Sequence, residues 1–222
     1  MFIFKLLFLQ KRRNLKGLVI KSTGSWYYVR DAEGETWACN IKGKFRIKGI
    51  RTTNPVAVGD QVDFEPLQEG EKEGLITHLY ERKNYIIRKA TNLSRESHII
   101  ASNIDQAIVM ATLAYPETYT LFIDRFLVTA EAYRIPAKII FNKIDLYEQS
   151  LKDYLDELID TYNQAGYECF KISATKEANL KAVKDLLKDK CSVISGNSGV
   201  GKSTLINKLN PEANLKTSYI SD

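Results

Sequence analysis

The chain has 222 residues, of which 44% are hydrophobic and 27% charged. This composition is typical of a folded globular protein and excludes a fibrous or low-complexity chain. The net charge is +5, but residues 1–51 hold 12 Lys/Arg against 3 Asp/Glu, a net of +9 that leaves −4 on the remainder. The asymmetry predicts that the N-terminal part meets a polyanion.

The cysteines are odd in number and scattered, at Cys39, Cys169 and Cys191, which argues against a disulfide framework. They predict buried thiols in a reducing cytoplasm. Neither His78 nor His98 lies near a cysteine in the sequence, so the chain has no zinc-type spacing.

Residues 1–15 form an apolar leader that is too short to span a bilayer. A signal peptide carries its charges before the apolar run, whereas Lys11, Arg12 and Arg13 follow it. We expect a disordered or extraneous leader, with a membrane-surface anchor as the alternative.

Residues 16–88 show short β-like runs separated by turns. The predicted strands are Trp26–Val29, Thr36–Ile41, Gln61–Phe64 and Gly74–Leu79, with turns at Asp31–Gly34, Asn54-Pro55 and Gly59-Asp60. About five short strands in some 70 residues predict a small barrel of the OB type.

The basic residues of the segment 41–48 alternate with apolar ones and would share one face of a strand. They are Lys42, Lys44, Arg46 and Lys48. Like charges on one face repel one another unless a polyanion neutralises them, so we predict an RNA-binding surface. Four aromatic residues nearby could stack on bases, although most are expected in the core: Trp26, Tyr27, Tyr28 and Trp37.

From residue 89 to residue 222, strands alternate with helices, which predicts a mainly parallel α/β sheet after a boundary near residues 86–103. The predicted strands are Gln106–Ala111, Ala137–Phe141, Tyr167–Ile172 and Cys191–Ser195. The predicted helices are Leu121–Tyr133, Leu151–Gln164, Leu180–Lys188 and Lys202–Leu209.

A phosphate-binding loop follows the last of these strands and matches the pattern GxxxxGK[ST]. It consists of Gly196, Asn197, Ser198, Gly199, Val200, Gly201, Lys202 and Ser203, and Thr204 continues it into the helix. Glycines let the backbone N–H groups point inward at phosphate oxygens. Lys202 is expected to reach the β- and γ-phosphates and Ser203 to ligate Mg²⁺.

The segment Asn142, Lys143, Ile144 and Asp145 follows another strand and matches the NKxD motif of guanine-nucleotide-binding proteins. One carboxylate can accept both the ring N–H and the exocyclic amine of guanine, whereas adenine would leave Asp145 unpaired. By resemblance, Asn142 braces the loop and the stem of Lys143 lies against the base. Such a tetrapeptide alone is more often a helix N-terminus, but the phosphate loop favours a base reader.

Ser173 and Ala174, followed by Thr175, are similar to the SAx element whose backbone also meets guanine. In ordinary GTPases the phosphate loop precedes the NKxD and SAx motifs, whereas here it follows them, so the order is circularly permuted. With the barrel, Asp124–Leu127 and Gly59-Asp60, the chain from about Lys16 resembles the ribosome-small-subunit-dependent GTPase A family. The resemblance implies a permuted GTPase acting late in assembly of the small ribosomal subunit, with hydrolysis stimulated by the ribosome.

The family continues after the phosphate loop with a switch I segment, a DxPG motif and a zinc-binding domain, whereas 19 residues follow Ser203 here. We therefore expect a truncated chain or a fragment, with zinc only in the missing domain and weak hydrolysis. The sole DxxG, Asp31–Gly34, is interpreted as a hairpin turn, and no residue is evident as a catalytic base.

The expected function is a GTP-binding and GTP-hydrolysing assembly factor that holds rRNA through its barrel. Its partners would be the small subunit and guanine nucleotide, without a membrane, and it would act as a monomer. Two alternatives remain open: a non-hydrolysing guanine-nucleotide switch, and an RNA-binding module with a vestigial nucleotide fold.

Overall fold

The computed structural model describes residues 14–41, 55–68, 70–89 and 97–217. The chain forms two compact units, one up to Asn103 and the other from Ile104 onward. The basic residues predicted to bind RNA, Lys42 to Lys48, lie outside the described residues.

The first unit contains a closed barrel of five strands. They are β1 (Leu15–Ser22), β2 (Tyr27–Asp31), β3 (Thr36–Ile41), β4 (Gln61–Pro66) and β5 (Glu73–Leu79). The barrel closes in the order β1-β2-β3-β5-β4, and the β3–β5 pair is parallel while the others are antiparallel. The predicted OB-type barrel is therefore confirmed.

Alternating residues of these strands fill the barrel core. Its buried members are Val19, Tyr27, Val29, Cys39, Val56, Val62, Phe64 and Ile76. Of the aromatic residues considered for stacking, Tyr27 is buried and Trp37 packs on Phe64, with ring centroids 5.4 Å apart. Trp26 and Tyr28 are half-buried.

The turn between β2 and β3 is organised by the side chain of Asp31. Its Oδ1 accepts hydrogen bonds from the backbone N–H groups of Glu33 at 3.0 Å and Glu35 at 2.9 Å. Its Oδ2 accepts one from Trp37 Nε1 at 2.8 Å. These donors lower the pKa of Asp31. The DxxG sequence is thus a hairpin turn, as predicted.

A two-stranded antiparallel sheet completes the first unit, and the sequence interpretation missed it. It pairs β6 (Tyr85–Lys89) with β7 (Ser97–Ser102). Asp60, fully buried, joins this part to the barrel because Arg82 and Ser102 both donate to its carboxylate.

The second unit is a four-stranded parallel sheet with helices on both faces. Its elements are β8 (Gln106–Ala111), α1 (Thr120–Ala132), β9 (Ala137–Phe141), α2 (Gln149–Gln164), β10 (Glu168–Lys171), α3 (Leu180–Leu187), β11 (Ser192–Ser195) and α4 (Lys202–Leu209). The strand order is β10-β9-β8-β11. The predicted parallel α/β sheet is confirmed.

Alternation along β8 divides the core of this sheet into two layers. Val109 and Ala111 face a cluster that α1 and α2 cover, whereas Ile108 and Met110 face a cluster that α3 and α4 cover. Every residue of β8 is buried. In the part of the chain that the structure describes, no helix combines the length and apolar character needed to cross a membrane.

Candidate nucleotide-binding site

The parallel sheet brings the three sequence motifs to one edge. The NKxD segment follows β9, the Ser173-Ala174 pair lies just after β10, and the phosphate loop follows β11. The carboxyl ends of parallel strands share one edge of a sheet, which is where ligands bind in open α/β folds.

Asn142, only 2% exposed, connects all three motifs. Its Nδ2 donates to the carbonyl oxygen of Val200 in the phosphate loop at 2.8 Å. Its Oδ1 accepts from the backbone N–H of Ala174 at 3.0 Å. A buried carboxamide whose two ends are both satisfied fixes the spacing of the groups that it joins.

The phosphate loop curls tightly because two glycines bring its backbone against neighbours. Gly196 has φ of 151° and Gly201 has φ of 98°. A Cβ on Gly196 would lie 2.3 Å from the carbonyl oxygen of Met110, and one on Gly201 would lie 2.4 Å from Asn142 Nδ2. These contacts require glycine at both positions.

The remaining loop residues lie between β11 and α4. Val200 is buried, Asn197 and Gly199 are half-buried, and Ser198 is exposed. Ser203 and Thr204 occupy the first turn of α4, where N–H groups have no partner within the helix, and both are half-buried.

Lys202 places its ammonium group inside the loop. Its Nζ donates to the carbonyl oxygens of Gly196 at 2.8 Å and Asn197 at 2.7 Å. Burial lowers the pKa of Lys202, because a cation loses hydration there. An anion beside this group would offset that loss.

The NKxD segment adopts a tight turn after Asn142. Lys143 has φ of 64°, and a short 3-10 helix spans Ile144–Leu146. The N–H of Ile144 donates to the carbonyl oxygen of Ile172 at 3.3 Å, and Asp145 is exposed. Burial lowers the pKa of Lys143, while the charge of Asp145 opposes that shift.

Side-chain hydrogen bonds hold the turn that contains Ala174. Ser173 Oγ accepts from the backbone N–H of Lys176 at 3.1 Å and lies 3.3 Å from Thr175 Oγ1. Ser173 also exchanges two backbone hydrogen bonds with Ala178. The turn thereby presents the N–H of Ala174 to Asn142.

Sequence reasoning missed Tyr147 and the loop of residues 112–119, which we name the β8–α1 loop. Tyr147 is 4% exposed, and its hydroxyl joins this loop to Asn142. Neither Tyr147 nor the loop belongs to a sequence motif, so their hydrogen bonds alone identify them.

The residues present fit the phosphates of a nucleotide. The loop offers backbone donors, a half-buried ammonium group and the hydroxyl of Ser203 within one curl of the chain. A magnesium ion would need oxygen ligands, which Ser203 and the phosphates could supply. In the part of the chain that the structure covers, no group of three or more His, Cys, Asp or Glu could hold a metal ion by itself.

Two family models together match nearly the whole chain. The model described as RsgA GTPase matches residues 79–222, and the one described as RsgA N-terminal domain matches residues 16–76. The chain is 56% identical over 208 residues to a small ribosomal subunit biogenesis GTPase RsgA from Phocaeicola vulgatus, covering 94% of this chain and 66% of that relative. A relative of the same name from Bacteroides fragilis is 55% identical, with coverage of 93% and 66%.

Solved structures agree with these relatives. The crystal structure of YjeQ from Thermotoga maritima is 34% identical with a TM-score of 0.75, covering 93% of this chain and 68% of that one. YloQ, described as a circularly permuted GTPase, is 31% identical with a TM-score of 0.70, covering 90% and 66%. The chain thus spans about two thirds of the length of the proteins that it matches.

Proposed function

The chain belongs to the RsgA GTPase family, and from this premise we propose that it is a GTP-binding and GTP-hydrolysing factor in late assembly of the small ribosomal subunit. The resemblance inferred from the motifs is confirmed by the family models. The fold class, an OB-type barrel followed by a permuted P-loop GTPase domain, is confirmed as well.

The observation that supports guanine-nucleotide binding best is the pair of hydrogen bonds made by the carboxamide of Asn142. It ties a phosphate loop to a segment that ends in an exposed carboxylate, Asp145. One nucleotide could therefore meet both, with its phosphates in the loop and its base at the carboxylate.

On the phosphate side, we assign the loop N–H groups and Lys202 to the phosphate oxygens and Ser203 to Mg²⁺. The partial positive charge at the N-terminus of α4, beside Ser203 and Thr204, favours the same anion. Mg²⁺, held by Ser203, would neutralise negative charge that develops during phosphoryl transfer.

On the base side, Asp145 accepts the two neighbouring donors of guanine, and the stem of Lys143 lies along the ring. The backbone N–H of Ala174 is already bonded to Asn142, so this turn supports the site through Asn142. The hydrogen bonds from Lys176 N–H to Ser173 Oγ and from Ile144 N–H to the carbonyl oxygen of Ile172 hold the backbone of these segments in place.

Hydrolysis by such a site depends on positioning and on charge neutralisation. Lys202 and Mg²⁺ would stabilise charge on the transferred phosphoryl group. We assign no general base to the attacking water.

For partners, we propose the small ribosomal subunit and its rRNA, contacted through the basic segment 41–48 of the first unit. The names of the relatives above, small ribosomal subunit biogenesis GTPases, support the small subunit as a partner. We further propose a cytoplasmic monomer that needs no membrane, and we place the zinc of the family in a C-terminal domain outside this chain.

Guanine selectivity is tested by replacing Asp145 with Asn. The amide can accept one of guanine's two donors and turns its own N–H toward the other, so GDP affinity should fall about 10- to 100-fold. Calorimetric titration of GDP, GTP, ADP and xanthosine diphosphate with Mg²⁺ measures the effect. Xanthine carries a carbonyl where guanine has its amine, so Asp145→Asn should bind the xanthine nucleotide better than the unmodified chain does.

Equal affinity of the unmodified chain for GDP and ADP would overturn the assignment of the base site. Tight GDP binding without GTP turnover, measured on full-length protein in the presence of small subunits, would instead favour a guanine-nucleotide switch that does not hydrolyse GTP.

A further inference from the structure

The β8–α1 loop is held in one conformation by its own threonines. The N–H of Thr118 donates to the carbonyl oxygen of Thr112 at 2.8 Å, and the N–H of Thr112 donates to Thr118 Oγ1 at 3.2 Å. The hydroxyl of Thr112 also donates to the carbonyl oxygen of Pro116. Thr112 and Thr118 are both buried. The loop is thus closed on itself by at least three hydrogen bonds.

Tyr147 connects this loop to the NKxD segment. Its hydroxyl accepts from the N–H of Leu113 at 2.8 Å and donates to the carbonyl oxygen of Asn142 at 2.6 Å. Burial raises the pKa of Tyr147 to about 12, so the hydroxyl keeps the proton that it donates. Its ring packs in the core cluster beneath α1 and α2.

A second contact joins the same two segments. Lys143 Nζ donates to the carbonyl oxygen of Tyr115 in the β8–α1 loop. The β8–α1 loop, and not the phosphate loop, therefore holds the ammonium group of Lys143. The stem of this side chain is the one expected to lie along the base.

We propose that the β8–α1 loop and Tyr147 form a brace that positions Asn142 and Lys143 for guanine recognition. The inference rests on the proposed function, since it concerns how the same site holds the base. Tyr147 is a positioning residue in this account, because it acts through Asn142 and has no contact of its own with the nucleotide.

The physical reason is the strict geometry of base recognition. A carboxylate must meet two donors of one ring edge, and hydrogen bonds weaken steeply when their angle is lost. Without the hydroxyl of Tyr147, the carbonyl of Asn142 and the N–H of Leu113 lose a common partner. The NKxD segment would then sample several orientations, and the nucleotide would have to order it upon binding.

The test is Tyr147→Phe in the whole chain, with Tyr162→Phe as the matched control. Tyr162 is buried in the same cluster as Tyr147. Its hydroxyl donates to Asp124 Oδ1 at 2.9 Å, and this bond joins α2 to α1 and not to the NKxD segment or the β8–α1 loop. Each variant deletes one buried hydroxyl and retains the ring. Calorimetry would compare GDP with inorganic pyrophosphate, which engages only the phosphate loop.

We expect Tyr147→Phe to weaken GDP binding about tenfold. The affinity for pyrophosphate should stay within twofold, because Tyr147 bonds the backbone carbonyl of Asn142, whereas its carboxamide keeps its own bonds to Val200 and Ala174. Tyr162→Phe should change neither affinity. Thr118→Val, which loosens the β8–α1 loop without touching the NKxD segment, should weaken GDP binding in the same selective way.

Unchanged GDP affinity in Tyr147→Phe, or an equal loss for GDP and pyrophosphate, would overturn the brace while leaving guanine binding in place. Failure of the unmodified chain to prefer GDP over ADP would overturn the proposed function and the brace with it.

Discussion

Gly201 is the residue at which the phosphate loop lies against the NKxD segment. Its backbone leaves no room for a side chain, because a Cβ would lie 2.4 Å from Asn142 Nδ2. The carboxamide that would be displaced also holds the N–H of Ala174. A change at Gly201 should therefore disturb both ends of the nucleotide site at once.

Gly201→Ala should lower GDP affinity at least about tenfold, because the new methyl group pushes Asn142 away from Val200. A left-handed backbone with a Cβ adds about 1–2 kcal/mol of strain in the free energy of folding. Calorimetry and denaturant unfolding measure the two effects.

The matched control for this substitution is Gly166→Ala. Gly166 has φ of 90°, and a Cβ there would meet nothing within 4 Å. It should show the backbone strain without the loss of GDP affinity. Equal GDP affinity in the two alanine variants would show that the contact with Asn142 does not matter.

The location of the site could be predicted from the sequence, whereas its internal connections could not. Gly196, Asn142 and Ser173 each come shortly after a strand, and parallel strands bring such positions together. The partners of the hydroxyl of Tyr147 depend on how a core residue packs, and no spacing in the chain encodes that. The contacts of the β8–α1 loop therefore could not be predicted from the sequence.

At the scale of elements, one buried ion pair organises the first unit. Arg82 donates to both carboxylate oxygens of Asp60, from Nε at 2.7 Å and from Nη2 at 2.6 Å, and Nη2 also donates to the carbonyl oxygen of Pro55. Ser102, at the end of β7, donates to Asp60 Oδ1 at 2.5 Å. A turn of the barrel, the connection after β5 and the end of β7 thus share one carboxylate.

Arg82→Met should lower the free energy of unfolding of this unit by about 3–5 kcal/mol, because it leaves a buried carboxylate without its cation. The two tryptophans of the chain, Trp26 and Trp37, both lie in the first unit, so their fluorescence during denaturant unfolding reports on it selectively.

The control is Lys72→Met, which removes the same charge from an exposed ion pair with Glu35 at 3.3 Å. It should cost less than about 1 kcal/mol, since water screens such pairs. If Arg82→Met and Lys72→Met lowered the free energy of unfolding by similar amounts, the buried network would stabilise the first unit no more than an exposed ion pair does.

Elements with a clear period were predicted well. The bounds of β3 and α4 coincide with the predicted bounds. Each element has a single hydrophobic pattern, strand-like in β3 and helical in α4, next to residues that signal a turn or a helix cap. β1 was not predicted, and its pairing with β2 shifts register after Val19, which breaks the alternation. β6 and β7 were also missed, because they pair outside the barrel in a segment interpreted as the domain boundary.

At the scale of the whole molecule, charge is divided between the two parts of the sequence. Residues 1–51 carry a net of +9 within a chain of net +5. Such a basic segment raises the local concentration of a polyanion, and its binding weakens as salt increases.

Reversing Lys42, Lys44 and Arg46 to Glu should weaken binding to small subunits or rRNA. The slope of log affinity against log salt should fall by about 2–3, one counterion release for each lost phosphate contact. Reversal of Lys184, Lys188 and Lys190, exposed cations of the second unit, makes the same change in net charge and should leave both quantities unaltered. Identical salt slopes in the two triple variants would show that the basic segment 41–48 is not part of the RNA-binding surface.

The distance along the chain from Asn142 to its two partners has a consequence for the synthesis of the protein. Ala174 follows Asn142 by 32 residues and Val200 by 58. At translation rates of about 5–20 residues per second, the second partner arrives about 3–12 s after the side chain that needs it. A growing chain therefore carries the NKxD segment before it has the phosphate loop, and water must satisfy the carboxamide of Asn142 in the interval. The nucleotide binding that we propose can therefore begin only when α4 has emerged from the ribosome.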